Sequence, residues 1–151
     1  MSAQEAFETL KTFFETRRAA KQAMSAVKEG VEISVVIGET VDCALLRRGD
    51  EPVVEKRPAK QPDLVFHIKP ESVYVLNNQT KDEIGEIGVN VLKEVLAGNI
   101  RISVPGKFLN ILSRGYLDML RQGGAPVMAF LARHGLTNVS KITSTIRKMK
   151  S

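Results

Sequence analysis

Apolar residues first recur every three or four positions along the chain: Ala6, Leu10, Phe13, Ala20, Met24 and Val27, with Arg17 interrupting the stripe. That period belongs to a helix with one face turned toward a core, and it predicts a single amphipathic helix over residues 1–30, ended by Gly30. Beyond Gly30 the period falls to two. Val31, Ile33, Val35 and Ile37 share one face of a strand, while Glu32 and Ser34 point the other way. After Gly38 the alternation resumes through Val41, Cys43 and Leu45 and closes in an Arg48-Gly49-Asp50 turn. A short third strand fits around Val53 and Val54 before Pro58. Residues 63–69, DLVFHIK, make a fourth, with Leu64, Phe66 and Ile68 on its apolar face.

The remainder is mostly helical in pattern. Thr80 and Glu83 have capping-box spacing, which predicts a helix start there. Ile84, Ile87, Val91 and Val95 then form a stripe that Leu92 and Leu96 widen, and Gly98 closes it. Residues 100–104, IRISV, alternate as a fifth strand. Pro105 suits a first helical turn, and the helix after it places Phe108, Leu112, Tyr116 and Met119 on one side. Gly123-Gly124 break that helix, and Pro126 begins another, VMAFLARHG, apolar nearly all round and therefore in need of cover. A last helix over residues 139–149 sets Ile142, Ile146 and Met149 beside Arg147, Lys148 and Lys150.

Four closely spaced strands pair most simply as hairpins. The expected fold is α+β, a five-stranded, largely antiparallel sheet covered on one face by helices, with a helix at each end. The organisation expected is an N-terminal helix over 1–30 that belongs to the same domain, a main body over 31–135 and a basic tail over 136–151. At 151 residues the chain fits one domain with a real core and is too short for a (β/α)₈ barrel.

Charge sharpens this picture. Residues 1–94 hold 13 Lys+Arg and 16 Asp+Glu, whereas residues 95–151 hold 9 basic residues and a single acid, Asp118. A basic end beside the most apolar helices points toward an anionic surface such as phospholipid. Nucleic acid is disfavoured, because Phe108, Tyr116 and Phe130, the aromatics of the basic half, all sit in apolar stripes rather than among cations. The longest run without a polar residue, 125–132, falls far short of the roughly 20 residues that span a bilayer. The acidic N-terminus lacks a secretory pattern, so a cytoplasmic location is expected.

Catalytic chemistry is hard to assemble from these residues. His67 and His134 stand far apart in sequence, with no metal-ligand spacing around either. His67 reads as a histidine on the polar face of its strand with Asp63 and Lys69. His134 reads as a cation at a helix C-terminus. Cys43 alternates inward with Val41 and Leu45, which predicts a buried, inert thiol and excludes an intrachain disulfide. Pro105-Gly106-Lys107 is no phosphate loop, since Phe108 follows the lysine where Ser or Thr is required. Asp82, Glu83 and Glu86 cluster at a helix start, where the helix dipole alone explains them. The expectation is a non-enzyme without cofactor or metal.

One resemblance gathers these features. The N-terminal helix, two alternating strands ending in a turn, the segment PAKQPDLVFHI, a helical insert leading into LAGNIRISVPG, and an apolar C-terminal helix together resemble the sterol carrier protein type 2 family of lipid-binding domains. The likeness runs over residues 31–135. Tryptophan, common on the second strand of that family, is absent, and Val104-Pro105 precede Gly106 at the strand exit. The family's pattern makes residues 72–76, SVYVL, a short helix although their β-branched content favours a strand.

The resemblance implies binding or transfer of an apolar lipid-like molecule, a sterol or fatty-acyl chain, in a cavity between the sheet and the C-terminal helices. The residues expected to line it are Ile102 and Val104 from the fifth strand and Ile87 and Val91 from the long helix. Phe108, Leu112 and Met119 join them from the next helix, and Met128 and Leu131 from the all-apolar one. Lys141, Arg147, Lys148 and Lys150 would touch anionic membrane transiently, at about 1 kcal/mol each. The alternative is an interaction module that keeps the fold without a cavity and pairs with a partner protein, or with a second copy through the N-terminal helix.

Overall fold

The computed structural model describes residues 2–78, 82–105, 118, 122 and 124–133. The chain begins with α1 (Ala3–Thr16) and α2 (Arg18–Met24), followed by β1 (Ile33–Ile37), β2 (Val41–Arg48), β3 (Glu51–Glu55) and β4 (Val65–Ile68). Next come α3 (Pro70–Asn78), α4 (Ile84–Leu96), β5 (Ile100–Ser103) and α5 (Gly124–Arg133). The strands form one five-stranded sheet in the order β3-β2-β1-β4-β5. The α+β architecture expected from the sequence is therefore present.

The N-terminal stripe folds as two helices instead of one. Ser2 starts α1, its hydroxyl accepting from the Glu5 N–H at 3.1 Å. Arg17 then leaves helical geometry (φ −85, ψ 132), and α2 sets off in a new direction. Two distant contacts hold that break. The Arg17 guanidinium donates to the Asn77 carbonyl at 2.6 Å and lies over the Phe13 ring at 4.5 Å. Asp82 accepts from the Ala19 N–H at 2.8 Å and the Arg18 N–H at 3.3 Å, capping α2 from 64 residues away. Asp82 thus serves another helix and not the dipole of its own neighbour. Helix α2 stops at Met24, and Gly30 lies beyond it in the loop with φ 91.

The hairpins β1–β2 and β2–β3 pair antiparallel, as does β4–β5. Gly38 and Glu39, at φ 60 and 63, turn the first hairpin with Thr40 N–H bonded to Ile37 O. β4 departs from a run of simple hairpins: it lies parallel to β1. β3 holds the outer place beside β2, so the vacant side of β1 is reached only by a crossover through residues 56–64. Glu32 steadies that crossover, accepting both Arg57 guanidinium nitrogens at 2.8 and 2.9 Å and the Lys60 N–H at 2.7 Å.

Segment 72–76 is helical, inside α3, with Val73 and Leu76 buried three positions apart. Helix α4 begins at Ile84 with Glu83 as an N-cap that makes no side-chain bond, so Glu83 is not the third helical residue a capping box requires. Thr80 lies outside the described residues. So do Phe108, Leu112, Tyr116 and Met119, His134, the helix expected over 139–149 and the side chains of Met128 and Leu131.

The core lies between the helices and one face of the sheet. Ala6, Phe7, Leu10 and Met24 meet Ile33, Val35, Ile37, Cys43, Leu45 and Val54 there. On the opposite face Ser34, Ala44 and Glu55 make one cross-strand row, and Arg57 pairs with both Glu32 and Glu55.

Candidate ligand-binding seam

Strand register sets the core face of the sheet. Cys43, Val35, Phe66 and Ile102 make one row across four strands, and Val41, Ile37, Ile68 and Ile100 make the next. Burial along the first row is uneven. Cys43 is fully enclosed and Val35 nearly so, whereas Phe66 and Ile102 are only partly buried and pack against the edge of the core. The sealed end lies under α1. The less buried end lies beside α4.

Helix α4 carries Ile84, Ile87, Val91 and Val95 at helical spacing, with Leu92 beside them. α1, of similar length, buries Ala6, Phe7, Leu10 and Phe13. α4 buries only Gly85; all its large aliphatic side chains remain partly or well exposed, and Leu96 is 53% exposed. Val91 and Val95 do reach the core cluster. Helix α4 is thus strongly amphipathic, and its apolar side is only partly covered.

Its stance is fixed at both ends. At the C-terminus, Gly98 (φ 81) donates to Val95 O, and Asn99 donates to Glu94 O at 2.9 Å and to the Glu94 carboxylate at 3.0 Å. Lys69 N–H donates to Asn99 O at 3.1 Å, tying this end to the sheet. At the N-terminus, Asp82 joins the approach to α4 to α2. On its flank α4 touches α5, where a Cβ added at Gly88 would stand 2.7 Å from Val127 Cγ2. Val127 and Phe130 are buried, while Pro126, Ala129 and Ala132 on α5 are exposed.

Phe66, Val91, Val95 and Ile102 are all partly buried hydrocarbon side chains that pack against the core cluster. The sole titratable group in the same sheet row is Cys43, whose thiol is pushed up to about 11 by burial and the nearby Asp42 charge. It stays a neutral, inert thiol at physiological pH, as its position in the sequence predicted. Among the described residues no cluster of His, Cys, Asp or Glu could hold a metal, and no helix is long and apolar enough to cross a membrane.

The other histidine environment lies on the far face. His67 packs with its Nδ1 buried and no hydrogen-bond partner; the Glu39 carboxylate stands 3.5 Å away and Arg101 joins it at 3.7 Å. His67 is thus more enclosed than a plain surface position, and Asp63, expected on that same polar face, is buried.

No protein-family model matches the chain, and no curated protein matches it. Among solved structures the chain is similar to one titled "UbiJ-SCP2 Ubiquinone synthesis protein", at 14% identity and a TM-score of 0.46, covering 85% of this chain and 94% of that one.

Of the residues expected to line a cavity, Val91 and Ile102 are partly buried and pack against the core cluster. Ile87 is partly buried on the same helix but outside the core cluster. Val104 is fully buried and belongs to the core wall. Lys141, Arg147, Lys148 and Lys150 lie outside the described residues, as do Phe108, Leu112 and Met119. Phe66 and Val95 were not singled out as site residues. The signal for Phe66 was its place on the apolar face of the fourth strand, but its importance depends on the pairing that sets it beside Ile102.

Proposed function

We propose that this chain is a non-enzymatic domain that binds or carries one apolar, lipid-like molecule, a sterol or fatty-acyl chain, held between the sheet and the helices at its open end. The observation that carries this reading is the half-covered apolar side of α4, together with the partial burial of Phe66 and Ile102 at the edge of the core. Leaving that much hydrocarbon partly wet costs the free protein, and an apolar guest would relieve the cost by completing its burial. Each buried CH₂ contributes roughly 0.8 kcal/mol, so a sixteen-carbon chain gives about 12 kcal/mol gross. Lost translational and internal freedom offsets much of that, which leaves affinity in the micromolar range. Such binding requires neither cofactor nor catalytic group.

The basic surplus of residues 95–151 fits loading from an anionic bilayer. Native mass spectrometry of protein taken from its expression host tests the binding directly. A co-purified apolar molecule at one per chain is expected. A stripped protein that binds none when offered fatty acid or sterol refutes the reading. Flotation with liposomes tests the loading step: binding should require anionic lipid and fall with salt.

A further inference from the structure

β3 is an edge strand, and its outward hydrogen-bonding groups are few. Val54 N–H and C=O point away from β2, and by the alternation of an antiparallel ladder Pro52 points outward too, with no N–H to offer. Both Val54 groups are taken by one turn of α1. Lys11 Nζ donates to Val54 O at 2.9 Å, and Val54 N–H donates to Glu15 Oε2 at 2.9 Å. Lys11 and Glu15 are themselves paired at 2.7 Å. An ammonium and a carboxylate therefore stand where the amide and carbonyl, respectively, of a neighbouring strand would stand.

We propose that this pair is a catch that holds a strand-docking edge closed, and that the occupant on release is β3 of a second copy of the chain. An isologous antiparallel pairing centred on Val54 sets Val54 against Val54 of the other copy and satisfies both groups that Lys11 and Glu15 now hold. The same register brings Pro52, which can only accept, opposite Lys56, the first residue beyond β3. Edge strands left open are templates for such pairing, and charged groups laid over them are a common guard. Both catch residues are reachable from solvent, with 40% and 28% of their side chains exposed, so the catch opens without disturbing the core. This surface is separate from the seam beneath α4, so the inference stands whether or not a lipid binds.

The test is sedimentation velocity of full-length Lys11→Met/Glu15→Leu over a hundredfold range of concentration, with Glu15→Gln, which keeps an acceptor for Val54 N–H, as the control. The double variant should move toward twice the mass of the wild type as concentration rises, and adding Lys56→Pro should reverse the shift. The Val54 amide should stay protected from hydrogen exchange in the associated form. A folded double variant of wild-type mass at every concentration, or association that Lys56→Pro leaves unchanged, overturns the proposal. Should the double variant fail to fold, Lys11→Met alone, which frees only the carbonyl, is read the same way: weaker association supports the catch, and none overturns it.

Discussion

Replacing Asp82 by alanine removes the carboxylate that accepts the Ala19 and Arg18 N–H groups at 2.8 and 3.3 Å. These are free donors of the first turn of α2, and Arg17 supplies no side-chain cap of its own. Loss of an N-cap oxygen costs typically about 1 kcal/mol, and loss of a negative charge at a helix N-terminus adds about 0.5. Because α2 anchors Ala19, Ala20 and Met24 in the core, its first turn cannot fray harmlessly. The expected loss is about 1.5 kcal/mol, or roughly 3–6 °C in Tm for a chain of this size. Asp82→Asn keeps the acceptor and loses the charge, so it should cost about a third as much. Urea unfolding followed by circular dichroism measures all three proteins, with an unchanged slope expected. A loss under about 0.5 kcal/mol for Asp82→Ala, or equal losses for alanine and asparagine, would refute the reasoning that this distant carboxylate caps α2 at the α1–α2 break.

Other consequences follow from single contacts. Gly88→Ala drives a Cβ to 2.7 Å from Val127 Cγ2, against a buried side chain with one preferred helical rotamer. The gain in helix propensity of about 1 kcal/mol should be outweighed by overpacking, for a net loss of about 1 kcal/mol, and Val127→Ala in the same chain should cost less than the two losses added, by thermal denaturation. Arg57 holds the Glu32 carboxyl down to about 2, first through its hydrogen bonds and then against the opposing effect of burial. A depressed carboxylate stabilises the fold above its unfolded value of about 4.3 and ceases to as pH falls toward 2. Wild type should therefore lose on the order of 2 kcal/mol more than Glu32→Gln between pH 6 and pH 2 in urea titrations, and equal losses would remove Glu32 as the cause. Cys43, with its thiol raised to about 11 and no exposed surface, should react with a thiol reagent at pH 8 only at the rate of unfolding; rapid labelling of the folded protein contradicts its burial.

Much of the fold is local and could be read from spacing. Alternation located β1, β2, β4 and β5, and the stripe of Ile84, Ile87, Val91 and Val95 located α4. What escaped depends on residues far apart. Nothing near Arg17 announces a helix break, since Asp82 and Asn77 make it. Nothing in β4 itself says that it lies parallel to β1; that follows from β3 having filled the other place. In α3 the local bias of Val73 and Val75 toward a strand yields to burial of Val73 and Leu76 against the core and to Pro70 at the first helical position. The same divide separates the halves of the candidate site. The apolar positions of the candidate site were legible as periodic positions, Val91 and Ile102 among them. How α4 is held depends on both its ends, which distant residues anchor, and Phe66 comes beside Ile102 only through strand register.

The most direct test of lipid carriage is a titration of the delipidated chain with a fluorescent long-chain fatty acid, wild type beside Val91→Trp. The native chain has no tryptophan, so the new indole would obstruct the proposed site and report on it. The wild type should show saturable binding of one ligand per chain at micromolar concentration, and folded Val91→Trp should bind at least tenfold more weakly. Absence of saturable binding by the wild type, or undiminished binding by the tryptophan variant, would contradict a ligand site beneath α4.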